Sequence, residues 1–211
     1  MSCRTEISCT SSSTCSMGNS GTVFKCGRCG LEHEVTLYPS INVQTSPELR
    51  EKVKSGEIFV SECPHCGYRE IIKYNTLYHD PSERVIVCLT DVDFHSDGME
   101  GYVCRKVSDV GSFIEKVKIF DAGLDDVTVE ICKFVTRQEL GKDADLKFFR
   151  FSGADNEITF TYPQDGQMEM VNIGFNVYED CAAVVKRNPP LREGAAGMAR
   201  VDADWLKQYI G

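Results

Sequence analysis

The chain has 211 residues, 42% hydrophobic and 26% charged, which is the composition of an ordinary globular protein with a sizeable core in one or two domains. A formal net charge of −9 argues against a generic nucleic-acid surface, and no apolar run reaches the roughly 18 residues that a membrane span needs. With no apolar segment near Met1 to read as a secretory signal, the 11 cysteines are expected as reduced or metal-bound thiols in the cytoplasm.

Residues 1–21 are rich in Ser and Thr, carry Cys3, Cys9 and Cys15 at even spacing, and read as a flexible tail. Residues 22–90 read as a zinc-ribbon domain built on two hooks, Cys26-Gly-Arg-Cys29-Gly30 and Cys63-Pro-His-Cys66-Gly67. A Cys-x-x-Cys turn makes two sulfurs converge, and the glycine after it lets the chain leave at positive φ. Two matching hooks supply four soft ligands, so Cys26, Cys29, Cys63 and Cys66 are the expected ligands of one structural Zn²⁺. A redox dithiol and an iron centre of rubredoxin type share the spacing and are the competing readings.

The gap between the hooks exceeds the roughly 15–20 residues of a compact four-cysteine site and must carry structure of its own. Glu34 to Tyr38 reads as a strand, and a helix follows with Ser46 as cap, Pro47 at its first position and Gly56 closing it. Tyr68 to Tyr74 alternates as an outgoing strand, and Arg84 to Leu89 is a β-branched run fit for a buried one. His79 beside Asp80 invites a general-base reading, yet neighbours in an extended chain point to opposite faces, which favours a structural histidine. Asp91 to Gly101, with His95, reads as a solvated acidic loop because it lacks the oxygen spacing of a calcium site.

Residues 91–211 read as an α+β region. A helical hairpin over 108–140 places Phe113, Val117 and Phe120 on one stripe and Val127, Ile131, Phe134 and Val135 on another, with Asp125 and Asp126 capping the second helix. An antiparallel sheet over 145–178 follows, in which Phe148 or Phe149 faces the core. Tyr178 to Lys186 reads as a helix that Asn188-Pro-Pro190 breaks, Gly194 to Gly197 as loose, and 202–210 as a last helix carrying Trp205, Leu206 and Ile210. No convincing linker divides the two regions, so they are expected to pack as one unit.

Several of these residues occur together in a recognisable order: the hooks, Ile41-Asn42-Val43, Pro47-Glu48-Leu49, Ser55 to Phe59, Leu77-Tyr78-His79-Asp80 and, more loosely, Gly123 to Asp126. In this the chain resembles the CpXC family over roughly residues 24–135. The resemblance implies paired metal-binding hooks and a bacterial or archaeal intracellular setting, and it implies no activity. Gly27 stands where the family pattern has proline.

Three functions compete. The leading one is a non-enzymatic protein–protein interaction or regulatory module, since four protein sulfurs leave zinc no open position for water. No phosphate loop, Ser-His-Asp order or His-Glu-x-x-His helix is present. The second is a nucleic-acid-binding ribbon using Arg28, Arg50, Lys52, Lys54 and Arg69, although basic and acidic residues balance over 22–74. The third is an iron-bound electron carrier or a thiol protein using Cys88, Cys104, Cys132 or Cys181, whose apolar surroundings favour buried, inert thiols.

Overall fold

A computed structural model describes residues 20–92 and 99–210, and its helices and strands combine in the α+β manner expected. The expected tail through residue 19, and residues 93–98 of the acidic loop, lie outside the described residues. Strands β1 (Ser20–Lys25) and β2 (Glu32–Leu37) form an antiparallel hairpin around the first hook. The chain adds β3 (Ser40–Asn42), α1 (Glu48–Ser55) and a 3-10 turn (Glu57–Phe59) before β4 (Val60–Glu62) and β5 (Arg69–Ile71) pair around the second.

α1 ends at Gly56 as expected, but Ser46 does not cap it with its side chain. Pro47 occupies the cap position with φ already helical at −62°, and the first turn closes tightly, with Leu49 and Arg50 amides donating to the Ser46 and Pro47 carbonyls. The Ser46 carbonyl thereby takes the place expected of its hydroxyl.

β6 (Thr76–Asp80), β7 (Val85–Leu89) and β8 (Val103–Val107) continue the chain. They are followed by α2 (Val110–Asp121), α3 (Asp126–Leu140), β9 (Lys147–Ser152), β10 (Glu157–Gln164) and β11 (Gln167–Gly174). Last come α4 (Phe175–Arg187), α5 (Pro189–Gly194), β12 (Met198–Ala199) and α6 (Ala203–Leu206). A five-stranded sheet of order β12-β8-β7-β6-β3 takes strands from both sides of residue 90 and is parallel except between β6 and β7. All five residues of β7, its central strand, are buried. β9, β10 and β11 form the antiparallel meander, with Phe148 turned into the core and Phe149 out of it.

Three assignments near the C-terminus change. Phe175 opens α4 directly from the end of β11, so the sheet expected over 145–178 ends at Gly174 and the helix expected from Tyr178 begins three residues earlier. Pro189 and Pro190 end α4 but also open α5, because proline's missing amide is harmless in a first turn. The last helix spans Ala203–Leu206 rather than 202–210; Asp202 caps it by accepting from the Trp205 amide, and 207–209 continue as a turn.

Two cores meet on α2. Phe113 and Val117 face the sheet with Ile41, Val53, Phe59, Tyr78 and Leu89, and Phe113 lies edge-on to Phe59 at 5.6 Å. Ile119 joins the second core, where Val127, Cys132, Leu146, Phe160, Val185 and Leu206 pack. Between them sits a buried ion cluster: Arg105 of β8 grips Asp126 through Nε and a second guanidinium nitrogen at 2.8 and 2.9 Å, and Lys116 donates to the same carboxylate at 2.7 Å. No helix among the described residues is long and apolar enough to cross a membrane.

Candidate metal centre

Each hook is the loop of a short hairpin, and the two loops are built alike. In the first, the Cys26 amide donates to the Leu31 carbonyl at 3.0 Å and the Gly30 amide to the Cys26 carbonyl at 2.9 Å. In the second, Cys63 donates to Tyr68 and Gly67 to Cys63, both at 2.9 Å. The reversal that closes each loop needs left-handed backbone, supplied by Gly30 at φ 73° and Gly67 at φ 66°. A Cβ would meet nothing closer than Lys25 Cε, 3.7 Å away, at Gly30 and nothing within 4 Å at Gly67, so backbone strain rather than crowding is what a side chain would cost.

The fold brings the four predicted ligands together: the sulfurs of Cys26, Cys29, Cys63 and Cys66 all lie within 4.8 Å of one another. Cys26 Sγ is 3.7 Å from Cys66 Sγ, and Cys29 Sγ is 3.6 Å from Cys63 Sγ. A disulfide would need about 2.05 Å. Thiolates at about 2.3 Å around a tetrahedral ion stand roughly 3.8 Å apart, so the spacing suits a metal and not a disulfide bond. Cys26 and Cys63 are buried, while Cys29 is exposed at the outer edge.

The thiols are electrostatically unequal. A backbone hydrogen bond at Cys29 lowers Cys26 to about 7 against the opposing effect of burial, with the Arg28 amide, 3.4 Å from the sulfur, helping. At Cys66 the Tyr68 amide pulls downward but is outweighed by burial and the neighbouring sulfurs, which push the thiol up to about 12. Four thiolates so close would repel one another, and a divalent cation would allow them to coexist.

Two polar contacts clamp the hairpins together, and the sequence marked neither. The Gly27 amide donates to Glu70 Oε1 on β5 at 3.2 Å, and His33 Nε2 lies 2.9 Å from Ser61 Oγ. These partners are 43 and 28 residues apart along the chain, so no local pattern announces them. The glycine has a reason to be there: proline has no amide hydrogen to give Glu70.

His79 and Asp80 turn to opposite faces of β6. His79 Nε2 lies 3.4 Å from the Tyr102 hydroxyl, with the rings 5.5 Å apart. Asp80 is buried on the other face, where Arg50 donates to it at 2.6 Å and the Ser82 and Glu83 amides donate to its other oxygen. Cys88, Cys104, Cys132 and Cys181 are buried free thiols. Burial pushes Cys88 up to about 11, and a hydrogen bond with Cys181 together with burial pushes Cys132 up further.

A family model described as CpXC protein matches residues 24–133, just over half of the chain and inclusive of both hooks. No curated protein and no solved structure matches the chain.

Proposed function

The chain belongs to the CpXC protein family, and on that footing we propose that it is a non-enzymatic interaction protein whose ribbon is held by one structural zinc ion. The observation that carries this reading is the cluster of four sulfurs from one chain, all within 4.8 Å of one another and two pairs of them 3.6 and 3.7 Å apart. Cys26, Cys29, Cys63 and Cys66 would hold the ion, which supplies a cross-link between two hairpins and no open coordination position for chemistry. The free buried thiols elsewhere suit a reducing, cytoplasmic setting.

The surface around the hooks favours protein over nucleic acid as partner. Leu31 and Tyr68 occupy equivalent positions after the two glycines, and both are exposed, as are Val23 and Ile71. By contrast, four of the five cations that a nucleic acid would need, all but Arg28, are engaged. Arg50 pairs with Asp80 and Asp121, Lys52 with Glu57, Lys54 with Glu51 and Asp121, and Arg69 with Glu62.

Metal analysis by mass spectrometry on the native protein and on a Cys63→Ser, Cys66→Ser variant tests the site. One zinc per chain, lost in the variant, is the expected result. Iron in its place moves the reading to electron transfer, and two titratable dithiols without metal move it to redox chemistry. For the partner, capture from the native host should recover a protein that a Leu31→Asp, Ile71→Asp variant fails to hold; identical recovery by both removes this surface from the reading.

A further inference from the structure

Away from the hooks, the end of α1, the last turn of α2 and the middle of β9 border a cavity of about 300 Å³, the lower end of the size range of small-molecule sites. Its lining sets three cations, Lys54, Lys118 and Arg150, and one carboxylate, Asp121, beside the rings of Phe149 and Phe151. In a chain of net charge −9 this is a locally positive place.

A β-bulge puts Phe149 there. β10 pairs Phe160 with Phe148 and Thr159 with Arg150, so Phe149 is the extra residue of β9 and has no partner in the register. A bulge breaks a strand's alternation and re-aims a side chain, and this one sends a phenyl ring toward α2, where Lys118 Nζ stands 5.0 Å from its centroid. Phe148 already fills the core at this point of the strand, and Phe149 stays 43% exposed, so packing does not account for it.

The cations differ in what they already hold. Arg50 and Lys54 take one oxygen each of Asp121, at 2.9 and 2.6 Å, and Lys54 also pairs with Glu51, so these charges are occupied. Lys118 and Arg150 pair with no carboxylate among the described residues, and both are accessible, Arg150 exposed and Lys118 half-buried. Partial burial and the nearby charge of Lys54 lower the Lys118 ammonium from the usual lysine range, with Glu115 opposing them. A bound anion would relieve both effects. Arg150 adds a planar guanidinium fork, which can grip a phosphate through two parallel bonds.

An inorganic anion would use these cations and leave Phe149 idle, whereas an apolar ligand would leave Lys118 without a counter-charge. A carboxylate answers one cation of the two, but a phosphate monoester carries close to two negative charges at neutral pH. We propose that the cavity binds a small phosphate monoester with a flat aromatic body, of the nucleoside monophosphate class, its phosphate between Lys118 and Arg150 and its ring against Phe149. The reading is independent of the metal centre, since none of the lining residues belongs to either hook.

Titration calorimetry of the full chain with the 5′-monophosphates of adenosine, guanosine, cytidine and uridine is the test, with inorganic phosphate and the matching nucleoside as the two halves of the ligand. At least one nucleotide should bind saturably, and each half at least about tenfold more weakly. Arg150→Gln, at an exposed position that leaves the core untouched, should weaken nucleotide binding about fivefold or more. Lys118→Met, which keeps the length of the side chain and removes its charge, should act in the same direction. Phe149→Ser should weaken the nucleotide several-fold and leave the binding of inorganic phosphate as it was. If Lys118→Met fails to fold by circular dichroism, the two exposed positions decide the matter. Absence of saturable binding by all four nucleotides overturns the proposal, as does unchanged affinity in Arg150→Gln or in Phe149→Ser, or inorganic phosphate binding as tightly as the nucleotide.

Discussion

β5 has none of its three residues fully buried and β7 has all five, and that contrast separates the hook-bearing hairpins from the sheet behind them. β2 likewise alternates only between exposed and half-buried positions. In the hairpins the fully buried residues are Cys26, Cys63 and Ser61, so their interior consists of two of the four clustered cysteines and one clamp. Isolated two-stranded hairpins are marginal in water, and these have no apolar face to add. The body, by contrast, buries Phe59, Phe113, Phe160 and 21 Val, Ile and Leu side chains in two cores. With a metal on the four sulfurs, one part of the chain would be folded by coordination and the other by exclusion of water.

Metal removal should therefore split the molecule. Structural zinc contributes about 10–16 kcal/mol in isolated finger peptides, more than the hairpins' own contacts can replace. Chelation is expected to abolish hydrogen-exchange protection in β1, β2, β4 and β5 while the amides of β6, β7 and β8 stay protected. Protection that survives in the hairpins after chelation would erase the distinction drawn above.

The reverse perturbation should fall on the body alone. Asp126→Asn leaves Arg105 and Lys116 buried against a neutral partner, and breaking such a pair costs about 3–5 kcal/mol. Urea unfolding should show that loss with zinc stoichiometry unchanged. Acid should separate the regions in order. Burial works against the Asp126 carboxylate, yet Lys116 and Arg105 hold it down at about 2, below the roughly 3.9 of an unfolded aspartate. Its contribution is thus complete above about 4 and fades as pH falls through 2. Thiolates take up protons and release metal well before that, so exchange protection should vanish from the hairpins at a higher pH than from β7.

The sequence was legible where physics is local. Hook spacing, the β-branched run of β7, the cap at Asp125 and the alternation of β9 to β11 are all short-range patterns. β8 was passed over because Val-Cys-Arg-Lys-Val sets Arg105 inside a strand, and a buried arginine makes sense only beside Asp126, 21 residues on. The burial of Glu130 is silent in the sequence for the same reason, because only the fold shuts it in with Lys133 and Arg137. Ser46 failed as a cap because Pro47 enters the helical turn before the serine side chain can.

The smallest expected effect concerns Gly27, where the second hook has proline. Gly27 and Pro64 occupy the same position in the two hooks, directly after the first cysteine. Pro64 has no amide hydrogen, whereas the Gly27 amide reaches across to Glu70 and ties the first loop to the strand leaving the second. Gly27→Pro should stiffen the turn but delete that tie. The bond is solvent-exposed, so its loss is worth about 1 kcal/mol or less, which corresponds to a zinc affinity weakened several-fold in competition with a chelating dye. Gly27→Ala keeps the amide but places Cβ 3.1 Å from Glu70 Oε2, a contact the carboxylate relieves by shifting slightly, and should fall between the two. Urea unfolding of the body should not change in either variant. Tighter zinc binding by Gly27→Pro would mean that turn stiffness outweighs the clamp, and that the two hairpins are joined by the metal without help from the side chains around it.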